Sequence, residues 1–371
     1  MVMVKTNELL RKGEVLFLSY QLEEAYAIFS ELAQEGEPRA MYFIGELYWQ
    51  GFGLASVNHV MAYEWYKKGA KLGDPLCQLC TLLHMELDSK KDSKDEKIQE
   101  KISDLLPILE NMAKAGDAFA QYELASVYAG KSGTTIHHHR STHWMQLAAS
   151  QGHYGAMSEL VKSAYGDKRF DDAFVWCDKL AHMGRVHAMY SLSTLYKEGL
   201  GCDKSEQQAA IWLEKAATAG YAKAQVELAV YYEEREDEDS ALFWYEKAAE
   251  QGVLSAQVEV AYAYMGTTVV AANHEKACYW ANQAAKQGSR DGKFLLAQCY
   301  WEGLGVDMNH ALADNLLTEL ANTQEADIVY SVARMYAKYG GEEKAQTYMI
   351  QAAELGSKEA KTVIATNYET K

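Results

Sequence analysis

The chain has 371 residues, with 36 basic against 52 acidic side chains and a formal net charge of −16. That balance disfavours nucleic acid or an anionic membrane as the principal partner, because phosphate binding needs a basic field. No stretch approaches ~18 consecutive apolar residues, residues 1–13 hold no signal-like apolar run, and the six cysteines suggest no disulfide framework. The expectation is a chain of the reducing cytoplasm without membrane insertion.

A glycine recurs along the sequence at Gly36, Gly73, Gly116, Gly152, Gly184, Gly220, Gly252, Gly288 and Gly356, with Gln324 standing in for one, at spacings of 32 to 43 residues. A period of this size means stacked supersecondary units rather than one globular core. Four positions after each marker a small residue opens a first helix, as at Ala40, Ala120, Ala188 and Ala224, and eight positions on comes a tyrosine, as at Tyr48, Tyr128, Tyr196 and Tyr232. A second helix is read backwards from the marker, with Ala eleven before it (Ala62, Ala173, Ala209, Ala241, Ala277, Ala313, Ala345) and Trp eight before it (Trp65, Trp144, Trp176, Trp212, Trp244, Trp280). Both patterns are single helical stripes, and large residues facing small ones let two helices approach closely. The marker glycine then ends the second helix, where a positive φ is cheap for it alone. Repeats with the longer spacing carry G-x-G between their helices, as in Gly51-Phe52-Gly53, Gly199-Leu200-Gly201 and Gly303-Leu304-Gly305, so the loop changes length while the stripes keep register.

Taken in order, residues 1–36 are expected to form an N-terminal capping repeat, 37–356 the central repeats and 357–371 a C-terminal capping helix, all within one solenoid. Both ends read as finished. The charged stretch 88–104 accounts for the one spacing of 43 and is expected to be a solvated loop with a helix start. His139 and His143 stand at i, i+4 within His137–Trp144, a spacing zinc sites use. They lack a Glu between them, however, and align with an ordinary turn and helix start, so they form only a weak metal candidate. Cys77-x2-Cys80 has no second pair and reads as two small apolar residues in a helix. The acidic run 233–239 reads as a solvated rim. No nucleotide-binding or nucleophile motif is present, and no cofactor is expected.

The pattern A-x3-L-G-x2-Y-x2-G-x-G followed by A-x2-W-Y-x-K-A-A-x2-G, nearly complete at Ala40–Gly73 and Ala188–Gly220, resembles the Sel1-like repeat, a relative of the tetratricopeptide repeat. The resemblance covers roughly residues 8 to 368. It weakens in the first unit, at Cys77–Gly116, and where Leu316 and Gln324 replace the aromatic and the glycine. It implies an all-α, right-handed α-solenoid of about ten stacked helix-turn-helix repeats that binds proteins or peptides and carries no catalysis of its own. Some secreted relatives carry a cysteine on each helix of a repeat; here Cys177 and Cys278 sit beside the Trp of a second helix without a first-helix partner.

In a tetratricopeptide-like arrangement the first helices line the concave side. The positions one before and two, six and nine after the opening Ala are then expected to point into a groove. They give Arg39, Tyr42, Glu46 and Trp49; Tyr122 and Tyr165; His187, Tyr190 and Lys197; Tyr262; Phe294, Gln298 and Trp301; and Tyr330 and Arg334. Aromatics with a few charges are what binding hot spots look like. The tyrosines two after the Ala are also read as packing residues, whereas Trp49 and Trp301 follow a tyrosine slot already filled by Tyr48 and Tyr300. The expected function is a non-catalytic scaffold holding a protein or peptide partner. One alternative is an immunity-type protein neutralising a basic toxin or effector; another is a metal-dependent enzyme built on the histidine cluster.

Overall fold

The structure, a computed structural model, describes residues 2–51, 57–84, 96–130, 136–267 and 271–369. These residues form 21 α-helices and no strand, in ten consecutive pairs and a final single helix. The pairs are α1 (Val2–Leu18) with α2 (Leu22–Gln34), α3 (Pro38–Gln50) with α4 (His59–Lys71), α5 (Pro75–Leu83) with α6 (Glu96–Lys114), α7 (Ala118–Tyr128) with α8 (His138–Ser150), and α9 (Tyr154–Gly166) with α10 (Phe170–His182). They continue with α11 (Val186–Glu198) and α12 (Glu206–Thr218), α13 (Ala222–Glu233) and α14 (Glu238–Glu250), α15 (Leu254–Tyr262) and α16 (His274–Lys286), α17 (Arg290–Glu302) and α18 (His310–Ala321), and α19 (Ala326–Lys338) and α20 (Glu342–Glu354). The last helix is α21 (Lys358–Glu369). A π turn, Ala263–Thr267, extends α15. Two compact units are distinguished, residues 1–212 and 213–371, with the division inside α12.

In both units the alanine stripes close the pairs. The opening residues Ala40, Ala120, Ala156, Ala188, Ala224, Ala256 and Ala360 are buried, and so are the second-helix alanines from Ala62 to Ala345. Of the tryptophans only Trp212 is buried; Trp65 and Trp176 lie half-buried with Lys68 and Lys179 over their rings. Close helix contact is therefore made by alanine on alanine, and the rings seal the margin. Helix starts follow the expected chemistry. Pro38 and Pro75 take the first turn behind Glu37 and Asp74, whose carboxylates accept backbone N–H groups, and Asp117, Asn273, Ser289 and Asn309 cap likewise. Pro107 is the exception, lying inside α6 on an exposed face where its lost N–H is tolerated. Of the charged stretch 88–104, residues 88–95 lie outside the described residues, and α6 takes up the rest.

The marker glycines sit two positions beyond the last residue of each second helix with φ between 83° and 112°, and Gln324, three beyond α18, holds the same left-handed conformation at φ 55°. Short turns inside a pair use one left-handed residue, such as Lys168 or Glu236, whereas the G-x-G turns use two, as at Gly199 with Gly201 and Gly303 with Gly305. Gly53 lies outside the described residues. Gly201 and Gly305 do more than turn: a Cβ on either would stand 2.2 Å from a backbone oxygen, that of Phe170 at the start of α10 or His274 at the start of α16. The second glycine thus lets the turn lie directly on the preceding repeat's backbone.

A second recurring device joins repeats and has a sequence signal that the stripe pattern passes over. Buried Gln121, Gln225 and Gln257, one after the opening Ala, donate their amides to the carbonyls of Ala113, Ala217 and Ala249 in the last turn of the preceding helix. Gln151, Gln251 and Gln287, each just before a marker glycine, donate in turn to those glutamines at 2.7–2.8 Å. Helix-end carbonyls otherwise left without a donor inside the stack are satisfied this way.

All six cysteines are free. Cys77 and Cys80 are buried, and burial holds both thiols protonated well above their usual range. Cys77 occupies space that only Gly69 leaves open. Cys278 has no cysteine opposite it on its own pair's first helix and instead meets the thiol of Cys299 on the first helix of the following pair.

Candidate functional site

In unit 1 the inner positions of the first helices do not form an open groove near the N-terminus. Arg39, Tyr42 and Glu46, expected to meet a partner, are buried. The cause is α1. Glu14 pairs with Arg39 at 3.6 Å, Phe17 packs on Phe43 and Phe119, the carbonyl of Leu18 lies against Gly152, and the Arg185 guanidinium donates to the Tyr20 hydroxyl. Residues 14–20 therefore cross the N-terminal ends of α3, α7, α9 and α11. Rings fill what remains, with Phe29 stacked on Phe43 at 4.3 Å and Phe119 edge-on to Phe43 at 4.7 Å.

Two polar networks are enclosed there. The Arg39 Nη2 donates to both carboxylate oxygens of Asp117, at 2.8 and 2.9 Å, and the guanidinium faces Glu14 and Asp74. Burial raises the carboxyl pKa of Glu14 and of Asp74, opposed in each case by Arg39. Deeper in, Tyr66 donates to Glu46 at 2.7 Å and Tyr42 to Glu123 at 3.2 Å, with the Cys80 thiol 3.9 Å from the same Glu123 oxygen. Glu46, Cys80 and Glu123 are the one group of three potential metal-ligating side chains among the described residues. Both tyrosine hydroxyls are held protonated by burial first and by these carboxylates next, so they act as donors, and the cluster is knit by its own hydrogen bonds. His139 and His143 lie exposed on α8 and belong to no such group.

His153 caps α9 with Nδ1 accepting the Ala156 N–H at 3.2 Å, its ring stacked on Tyr122 at 4.3 Å. Burial pushes its pKa down from 6.5 to about 3. An unfolded chain takes up this proton below about 6.5 and the folded one does not, so stability falls with pH between about 6.5 and 3, by about 1.4 kcal/mol per pH unit. Glu14 and Asp74, raised in the fold, act in the opposite sense in both proteins and cancel in a comparison. Denaturant titrations at pH 7 and pH 5 are expected to show a loss in the wild type that His153→Asn, which keeps a capping acceptor and has no titrating ring, does not show.

Elsewhere the expected positions keep access to solvent. In unit 1, Trp49 is half-buried against the rings of His59 and His84, Tyr122, Tyr165 and Tyr190 are half-buried, and His187 and Lys197 are exposed. In unit 2, Tyr262 and Arg334 are exposed, while Phe294, Gln298 and Tyr330 are half-buried. Trp301 is half-buried, stacked between His310 at 5.4 Å and Tyr339 at 5.3 Å and edge-on to Tyr336. Burial together with Glu233 and Asp291 raises the carboxyl pKa of Glu259, and burial with Asp291 and Glu259 raises the phenol pKa of Tyr262. Among the described residues no helix is long and apolar enough to cross a membrane.

Solved structures similar to the chain include a protective antigen of uropathogenic Escherichia coli with an SLR fold (20% identity, 98% of this chain and 88% of that one, TM-score 0.44). A Sel1 repeat protein from Oxalobacter formigenes is similar too (20%, 98% and 90%, TM-score 0.42), as is an immunity protein from Pseudomonas aeruginosa (19%, 62% and 81%, TM-score 0.30). No curated protein sequence matches the chain. The Sel1 repeat profile matches residues 38–74, 118–153, 186–221, 222–253, 254–289, 291–313 and 341–357. It passes over the first pair, 75–117 and 314–340, where the motif loses its aromatics or its glycine, and also 154–185. Sel1 repeat proteins are generally protein-interaction scaffolds, and the fold is typically non-catalytic. With repeats matched over more than half its length and built on alanine-closed helix pairs, the chain belongs to the Sel1 repeat family.

Proposed function

We propose that the chain is a non-catalytic scaffold that holds a protein or peptide on the inner wall of unit 2. The observation that supports this reading is the accessibility of the aromatics. In unit 1 α1 covers Arg39, Tyr42 and Glu46 of α3, leaving accessible aromatics only further along, whereas in unit 2 Tyr262, Phe294, Trp301 and Tyr330 on three successive first helices all remain accessible. Accessible aromatics held on a rigid helical frame are what interface hot spots are made of. The strongly acidic surface argues against a nucleic-acid partner. A cytoplasmic location fits the six free cysteines.

Affinity capture from the native source, read by mass spectrometry, tests the proposal with a Tyr262→Ala, Trp301→Ala double variant beside the wild type. Each lost anchor is expected to cost about 2 kcal/mol of binding, so specific partners drop by more than tenfold while the variant keeps its helical circular dichroism. Undiminished capture would show that this wall is not the gripping surface. The immunity-type reading draws on the net charge of −16 and uses the same wall; it requires a neighbouring gene that encodes a basic secreted-type protein.

A further inference from the structure

The buried face between α16 and α17 holds two thiols contributed by different repeats. Cys278 lies near the start of α16, the second helix of its pair, and Cys299 near the end of α17, the first helix of the next. Both belong to one buried cluster with Ala261, Ala281, Leu295 and Leu296. The two backbones approach closely: a Cβ on Gly292 of α17 would stand 2.7 Å from the Ala284 Cβ and 2.8 Å from the Ala285 nitrogen of α16. The short turn at Gly288 makes the helices antiparallel. Six residues back along α16 and seven onward along α17 therefore bring Cys278 and Cys299 to one level, about 10 Å from that contact. The same two positions come together in the pair of helices α10 and α11. There they are Phe174 and Leu195, and Phe174 packs edge-on against Tyr196, the residue after Leu195, at 5.3 Å. A contact filled there by a ring is here thiol against thiol.

We propose that Cys278 and Cys299 form a reversible disulfide that staples two consecutive repeats of unit 2 when the chain meets hydrogen peroxide. The peroxide first transfers an oxygen to Cys278, giving a sulfenic acid and one water. The Cys299 sulfur then displaces the hydroxide from Cys278, and that hydroxide leaves as a second water with the Cys299 proton. In all, two thiols lose two electrons and two protons, and one peroxide is reduced to two waters. A dithiol reductant reverses the step by exchange. The surroundings divide the roles. Cys278 keeps 5% of its surface open and Cys299 none. The hydrogen bond between them lowers the Cys278 thiol pKa and raises that of Cys299. Cys278 is thus the sulfur a small oxidant reaches first, and Cys299 resolves it. In the reducing compartment that free cysteines fit, such a bond is transient.

The test treats the full chain with millimolar hydrogen peroxide, blocks the remaining thiols by alkylation in denaturant, and reads unreduced peptides by mass spectrometry beside a thermal melt. The expected result is one cross-linked peptide joining Cys278 to Cys299, lighter by two hydrogens and split by dithiothreitol. The melting transition is expected to rise by about 5 °C or more, because a loop of about 20 residues is closed in the unfolded chain. Cys299→Ala is expected to abolish the rise and leave Cys278 to advance to sulfinic acid, whereas Cys278→Ala abolishes it and leaves Cys299 reduced. Melts of both variants before oxidation establish that they fold. Recovery of both thiols in alkylated form after peroxide would overturn the proposal, as would cross-links that join either cysteine to any other or to a second chain. A bond between the two that leaves the melt unchanged, or lowers it, would overturn the staple.

Discussion

Arg39→Met is expected to cost unit 1 about 3–5 kcal/mol, the usual penalty for removing one member of a buried ion pair. The methionine fills most of the arginine's volume, so the loss is not a cavity effect. What remains is a set of carboxylates, Asp117, Glu14 and Asp74, packed together without their cation. Burial already holds Glu14 and Asp74 above their ordinary range against the pull of Arg39, and without it both rise further. A group whose folded pKa is raised contributes stability below its unfolded pKa and loses it as pH climbs through the folded value, so the deficit shrinks on acidification towards pH 4. Urea titrations of wild type and variant at pH 7 and pH 4.5 check both size and sign. The double variant Arg39→Met, Asp117→Asn should recover part of the loss, because it removes one of the uncompensated charges.

Gly201→Ala is expected to be nearly as damaging, at more than about 3 kcal/mol, while Gly199→Ala two residues earlier costs about 1–2 kcal/mol. Both glycines have left-handed backbones, with φ 72° and 68°. Strain from φ alone therefore predicts equal effects. They differ in surroundings: a methyl on Gly199 meets the Lys204 Cβ at 3.1 Å, a tight contact that a small shift of the turn relieves, whereas one on Gly201 overlaps the Phe170 carbonyl at 2.2 Å, which is fixed in the first turn of α10. Gly305→Ala should repeat the result in unit 2 against His274, with Gly303→Ala as its mild counterpart. Thermal melts of the four variants separate turn strain from backbone contact.

The repeat pattern made the helix pairs legible because period and residue size are both written in the chain. A small residue every repeat fixes where backbones touch, and a glycine every 32 to 43 residues fixes where each pair ends, so even Gln324 could be placed as a stand-in that adopts φ 55°. The inner wall was less legible. The rule that puts Arg39, Tyr42 and Glu46 in a groove describes one helix and its two neighbours, and it is silent about a helix thirty residues away folding back over them. Signals were present, in the four phenylalanines Phe17, Phe29, Phe43 and Phe119 and in a glutamate, Glu14, within the first helix, but they acquire meaning only when α1 is known to reach α7. The paired cysteines and the glutamine relay were missed for a similar reason: each links residues on different repeats, and a stripe analysis treats each repeat alone.

The reach of residues 14–20 across to Arg185 has a bearing on how unit 1 comes apart. An ordinary repeat array is close to one-dimensional, each unit holding only its neighbours, so it can peel from an end one hairpin at a time. Here the opening hairpin is tied to a residue 165 positions away as well as to the pair beside it. Fraying at the amino end would have to release Arg39, Tyr20 and the phenylalanine cluster together, which converts a zipper into a latch and makes loss of the first 200 residues concerted.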